Sequence, residues 1–255
     1  MTENYNRQLT PQQKEKLRKV KRLALDMDGT IYLGSRLFPF TLDFLKEMKE
    51  NGIGYSFLTN NPSKSVADYL HKLENMGIEA SEDNMYTTSL AAIDYIKTHY
   101  PEAKRLFLLG TPSMISQFEK AGFISCADDP ADVPDVLVVA FDMTLSYDRL
   151  CRATWWASQG IPYKPDPNML YGIMQSHGLA SEEIAMVGDR IYTDTATAHN
   201  AGAVGVLVLS GETTLETALA VAEDARTNPN PEFYPPDFIV RDIKELGELL
   251  LEARK

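Results

Sequence analysis

RLALDMDGTIY, residues 22–32, sets an apolar run against two aspartates, Asp26 and Asp28, with Gly29 and Thr30 directly behind them. The run reads as a short buried strand over 22–28, and strand alternation would point both carboxylates to one side. Carboxylates this close repel, so a chain keeps them at a strand tip where a cation neutralises them. The flanking stretches decide what sheet this strand joins. TLDFLKEMKENG (41–52) has apolar residues near helical spacing and Gly52 as a stop, IGYSFLTNN (53–61) is strand-like, and SVADYLHKLENMG (65–77) is helical with Gly77 as its end signal. Strand, helix, strand and helix joined by short loops predict an α/β fold, a parallel sheet covered by helices.

The alternation returns in the last third, with a helix over 168–178, a strand over 183–189, a helix over 193–202, strands over 203–211 and 237–240, and a helix IKELGELLLEA behind them. A middle block carries helices over 90–98, 113–122 and 145–160 and strands over 105–110 and 135–141, and reads as a smaller α/β module inserted into the first. RTNPNPEFYPPD (226–237) is a loop on composition. The first residues read as a surface helix with a frayed start.

Composition narrows the function classes. The chain has 255 residues, 44% of them hydrophobic and 24% charged, with a net charge of -11. So acidic a surface argues against nucleic acid as a partner, and an anionic substrate needs a local positive group. Cys126 and Cys151 have no metal or redox spacing and read as reduced, buried thiols. The N-terminal stretch is polar, without the apolar core of a signal peptide, and no apolar run reaches the ~18–20 residues of a membrane span. The expectation is a cytoplasmic protein with no membrane partner.

In a parallel sheet the ligand site lies outside the carboxyl ends of the strands. Four stretches fall at or beside such ends: Asp26-Met27-Asp28-Gly29-Thr30, Leu58-Thr59-Asn60-Asn61-Pro62, Lys164-Pro165-Asp166-Pro167, and Gly188-Asp189-Arg190 with Asp194 beyond it. Asp26 and Asp189 at adjacent strand ends make a hard oxygen site suited to Mg2+. Of Asp26 and Asp28, one can attack a reacting centre while the other handles the proton. Thr59 offers a hydroxyl beside backbone N–H groups, and Lys164 a positive charge for a phosphoryl group.

The four stretches, LDMDGT, FLTNNP, KPDP and GDRIYTD, in this order resemble the motifs of the haloacid dehalogenase (HAD) superfamily of phosphohydrolases. The TNNP form and the large insertion before the lysine are most similar to the NagD-like branch, subfamily IIA, with its C2-type cap. The resemblance implies a Rossmann-like core, a parallel sheet flanked by helices, made of residues 1–86 and 164–255, and a smaller α/β cap over 87–163. It implies Asp26 as the nucleophile that forms an aspartyl-phosphate and Asp28 as the general acid/base whose main-chain carbonyl also meets the metal. Thr59 and Lys164 would bind the phosphoryl group, with Asn60 beside them, Asp189 would be a Mg2+ ligand, and Asp194 would support the metal ligands from behind.

One departure stands out. In the family a segment like Gly160-Ile161-Pro162-Tyr163 continues into a further strand, a substrate loop, a helix and another strand; here it meets Lys164-Pro165 at once. The cap that remains reads as two strands and three helices. The segment is naturally missing, removed by engineering, or part of a natural chain that this sequence leaves out. The last is favoured, because three residues span only about 10–11 Å between cap helix and core lysine.

Other residues have plainer readings. Asp166 before Pro167 is a helix N-cap, Arg190 a solvated arginine, and Gly110-Thr111-Pro112 a strand-to-helix turn. At least one of Trp155 and Trp156 belongs to the cap core, and the four histidines lack ligand spacing. The expected activity is Mg2+-dependent hydrolysis of small phosphate monoesters, such as a sugar phosphate or a nucleoside monophosphate. A phosphotransferase or mutase would use the same residues, and a binding protein without turnover would follow from an incomplete cap. The expected partner is a small phosphorylated metabolite, with a homodimer through the cap as a possibility.

Overall fold

The computed structural model describes residues 9–59, 61, 64–140, 142, 145–164, 169–229 and 231–255, the side chains of Tyr163 and Lys164 excepted. Helix α1 (Pro11–Lys19) is followed by β1 (Arg22–Asp26), the hairpin β2 (Tyr32–Leu33) and β3 (Arg36–Leu37), α2 (Thr41–Glu50), β4 (Gly54–Thr59) and α3 (Val66–Asn75). Then come β5 (Met85–Thr87), α4 (Thr88–His99), β6 (Arg105–Leu109), α5 (Pro112–Lys120), β7 (Ile124–Ser125), β8 (Val136–Val139), α6 (Tyr147–Ser158) and β9 (Tyr163–Lys164). The chain closes with α7 (Met169–His177), β10 (Ile184–Gly188), α8 (Ala196–Ala201), β11 (Val204–Val208), α9 (Leu215–Thr227), β12 (Phe238–Val240) and α10 (Ile243–Arg254).

The chain divides into two compact units. One holds the residues up to Leu58 with Glu74–Asn84 and Leu170–Lys255; the other holds Thr59–Leu73 and Met85–Met169. In the first, strands lie side by side in the order β12-β11-β10-β1-β4, every neighbouring pair parallel. Helices flank both faces of such a sheet, so its strands are apolar throughout rather than alternating. All residues of β10, β11 and β12 are buried, as are Leu23, Ala24, Leu25 and Asp26 of β1. Helix α1 starts from a capping box, Thr10 with Gln13, with proline at its first position. It docks on α10, where the Arg254 guanidinium donates to the carbonyls of Leu17 (3.2 Å) and Val20.

The second unit has its own parallel sheet in the order β7-β6-β8-β9. Phe107, Leu109, Leu137, Ala153 and Trp156 form a core on one side, while Leu106, Leu108, Met114, Phe118 and Val136 belong to another. Trp156 is buried and Trp155 is 39% exposed. Thr111 caps α5 with Pro112 behind it, so Gly110-Thr111-Pro112 is a strand-to-helix turn.

Several short elements depart from the expectation. Tyr163 and Lys164 pair with Leu137 and Val138 as β9, so the residues at the join are an edge strand rather than a bare connection. With β7, this gives the small sheet four strands where the sequence predicts two. Strand β1 stops at Asp26 because the chain turns there: the N–H groups of Thr30 and Ile31 both donate to the Met27 carbonyl (3.3 and 2.9 Å). The helix expected over 193–202 opens as a π-turn, Ile191–Thr195. Helix α9 occupies a stretch for which the sequence analysis predicts no element, and the loop expected from 226 begins only after Thr227. Among the described residues no helix is long and apolar enough to cross a membrane. Both cysteines are outside disulfides, but neither is buried as expected: Cys126 is partly exposed and Cys151, on α6, is exposed.

Candidate active site

Strands β1, β10 and β11 end side by side, so whatever follows each strand converges on one edge of the sheet. Asp26 is the last residue of β1, and Asp189 follows directly on β10. The π-turn then folds Asp194 back: the N–H groups of Asp194 (3.0 Å) and Thr195 (3.2 Å) both donate to the Arg190 carbonyl. Such wide turns recur at functional sites because they turn one side chain out of helical register. One carboxylate oxygen from each of Asp26, Asp189 and Asp194 lies within 4.8 Å of the others. All three side chains are buried, at 9%, 2% and 6% exposure.

The surroundings hold these acids in place. The Arg190 N–H donates to Asp194 Oδ2 at 3.0 Å, and the Glu212 N–H to Asp189 Oδ2 at 2.6 Å. The Ser210 hydroxyl donates to the Gly29 carbonyl at 2.7 Å, tying the loop behind β1 to the loop behind β11. Gly29 sits at φ +92°, and a Cβ there would stand 2.4 Å from Asp189 Oδ2. Only glycine suits that turn, on both backbone and packing grounds.

Burial and mutual repulsion set the electrostatics. Burial, followed by the neighbouring Asp194 and Asp189 charges, pushes the Asp26 carboxyl well above the ordinary range. Burial also raises Asp189, and it pushes Asp194 up to about 6. Asp26 Oδ2 and Asp189 Oδ1 are buried with no hydrogen-bond partner among the described residues. Three buried carboxylates with two orphaned oxygens are an unfavourable arrangement by themselves and a suitable donor set for a hard divalent cation. The residues present therefore fit Mg2+.

The remaining expected residues are placed as follows. Asp28 is exposed, outside β1, and its Oδ1 accepts from the Gly34 N–H at 3.0 Å. Strand alternation does not carry it. Thr59 ends β4 and belongs to the second unit; its buried hydroxyl accepts from the Asn61 N–H at 3.2 Å, and its carbonyl accepts from the Thr88 hydroxyl at 3.0 Å. Asn60 and Asp166 lie outside the described residues, and of Lys164 the backbone alone is described, in β9. Arg190 is bonded to Glu212 rather than free in solvent (2.8 Å). Ser210, Gly211 and Glu212 also border the acids and are not among the expected residues. Their position directly behind the apolar run of β11 was the available signal.

Residues 23–124 match a family described as haloacid dehalogenase-like hydrolase, and residues 163–246 match one described as HAD-hydrolase-like. An acid sugar phosphatase of Staphylococcus aureus (strain USA300) is 25% identical, with 94% of this chain and all of that protein covered. That match runs over 277 positions, more than the 255 residues here, so it opens gaps opposite residues of the relative. Among solved structures, a 4-nitrophenylphosphatase from Thermotoga maritima is 33% identical with a TM-score of 0.78, covering 91% of this chain and 98% of that one. NagD from E. coli K-12 shares the fold at 22% identity, with a TM-score of 0.74, covering 89% of this chain and 98% of that one.

Proposed function

Because the chain belongs to the haloacid dehalogenase-like hydrolases, as a phosphatase of their NagD-like branch, we propose that it cleaves small phosphate monoesters through an aspartyl-phosphate on Asp26. The observation that carries this reading is the buried cluster of Asp26, Asp189 and Asp194 with its orphaned oxygens. Asp26 and Asp189 would hold Mg2+ with the main-chain carbonyl of residue 28, and Asp194 either joins them or supports them from behind. The bound cation supplies positive charge against the carboxylates and the phosphoryl oxygens.

In the proposed reaction a carboxylate oxygen of Asp26 attacks phosphorus, and the ester P–O bond breaks. Asp28, protonated, gives its proton to the leaving alkoxide. Asp28, now ionised, takes a proton from water, whose oxygen attacks the same phosphorus. The bond to Asp26 breaks and inorganic phosphate leaves. The exposed position of Asp28, apart from the buried acids, suits a group that exchanges protons with an alcohol and with water. Thr59, Asn60 and Lys164 are proposed to bind the phosphoryl group, with residues 1–86 and 164–255 as the catalytic core and 87–163 as the cap.

Phosphate release from a panel of sugar phosphates, nucleoside monophosphates and an aryl phosphate tests this. Release should require Mg2+, stop with chelator, and vanish in Asp26→Asn. Release that persists in the Asn variant would rule out Asp26 as the nucleophile, and no release from any ester would remove the activity.

A further inference from the structure

We propose that Glu212, held by Arg190 and Tyr192, is a positioning residue that sets the affinity of the site for its divalent cation. The inference rests on the reading of Asp26, Asp189 and Asp194 as a cation site. Its own ground is a closed ring of bonds that runs from Asp189 through Glu212 and Arg190. The Glu212 carboxylate accepts from Arg190 Nε at 2.8 Å through Oε2 and from the Tyr192 hydroxyl at 2.5 Å through Oε1. The Glu212 N–H donates to Asp189 Oδ2 at 2.6 Å, and the Thr213 N–H to the Asp189 carbonyl at 3.1 Å. Arg190 follows Asp189 in the chain, so the ring returns to its start. The same Arg190 donates its own N–H to Asp194 Oδ2. One residue is thereby keyed to two of the three acids.

The ring decides which oxygens remain for a cation. Asp189 Oδ2 is occupied by the Glu212 N–H, and Oδ1 is left buried and unpartnered. A carboxylate fixed through one oxygen presents the other in one orientation, and a preset ligand binds more tightly than one that must be ordered on binding. The approach is close enough to demand a glycine: a Cβ on Gly211 would stand 2.0 Å from Asp189 Oδ2. The side chains that close the ring are half-exposed, with Arg190 at 41% and Glu212 at 49%. Such a pair adds little to stability, so its arrangement is better accounted for by what it holds than by the bond it makes.

Mn2+ binding followed by electron paramagnetic resonance on the full chain tests this without turnover. Glu212→Ala should weaken Mn2+ binding about tenfold. Glu212→Gln, which keeps an acceptor, should stay near wild type, and Tyr192→Phe should fall between. Melting temperatures measured with chelator should differ little across the set. Equal Mn2+ affinity in wild type and Glu212→Ala would overturn the inference, as would a loss of melting temperature without a change in affinity. If Glu212→Ala does not fold, Tyr192→Phe carries the comparison and must show a weaker affinity. A wild type that binds no Mn2+ would remove the cation site itself and the inference with it. That outcome is distinct from equal binding by all variants.

Discussion

Asp194 shows how far a single buried group can be followed. Burial raises its carboxyl from the ordinary 3.8 to about 6. A carboxyl whose folded pKa lies above its unfolded value favours the fold when protonated and opposes it when ionised. Stability from this group is therefore lost as pH rises from about 4 to about 6, and the full penalty, roughly 2–3 kcal/mol, is present above that. In chelator, Asp194→Asn should raise the melting temperature by several degrees near pH 8, by roughly half as much near about pH 5, and hardly at all near about pH 3.5. Adding Mg2+ near pH 8 should stabilise the wild type more than the variant. A variant that melts below wild type in chelator near pH 8 would show that the three acids do not repel as the geometry implies. Gly29 offers a second check. Gly29→Ala drives a methyl into Asp189 Oδ2 on a backbone that disfavours any side chain, and a shift of about 1 Å in a site of this kind costs on the order of a hundredfold in kcat/KM. Unchanged kinetics in that variant would mean that Asp189 does not need its observed place.

At the scale of elements, what the sequence could reveal followed the strength of local signals. The buried parallel strands were legible because they must be apolar on both faces, and their order placed Asp26 and Asp189 at adjacent tips. The two-residue strands β7 and β9 were not, since so short a segment carries no period to read. Asp28 was placed by extending alternation past the end of β1, whereas the bonds to the Met27 carbonyl end the strand two residues earlier. Glu212 could not be read from local pattern at all, because its partners Arg190 and Tyr192 lie 22 and 20 residues away and meet it only through the pairing of β10 with β11. Element packing carries its own expected outcome at the α1–α10 contact. Arg254 donates to the carbonyls of Leu17 (3.2 Å) and Val20 at the end of α1, groups that a helix end leaves open. Arg254→Met keeps the apolar stem and removes the donors, so urea unfolding should show a loss of about 1–3 kcal/mol. No loss would mean that water serves those carbonyls equally well.

At the scale of the molecule, the division into two units has a thermodynamic consequence. Asp26, Asp189 and Asp194 all belong to the first unit, while Phe107, Leu137 and Trp156 form a core within the second. A ligand that binds only the folded first unit stabilises that unit by about 2.7 kcal/mol at a hundred times its dissociation constant. Phe107 is 1% exposed, and Phe107→Ala removes a buried ring at a cost of about 3–5 kcal/mol. If each unit unfolds on its own core, calorimetry should resolve two transitions. Mg2+ should raise one of them and Phe107→Ala should lower the other. A single transition that both perturbations move together would show that the two units unfold as one cooperative body, and the cation would then stabilise residues far in sequence from the acids that hold it.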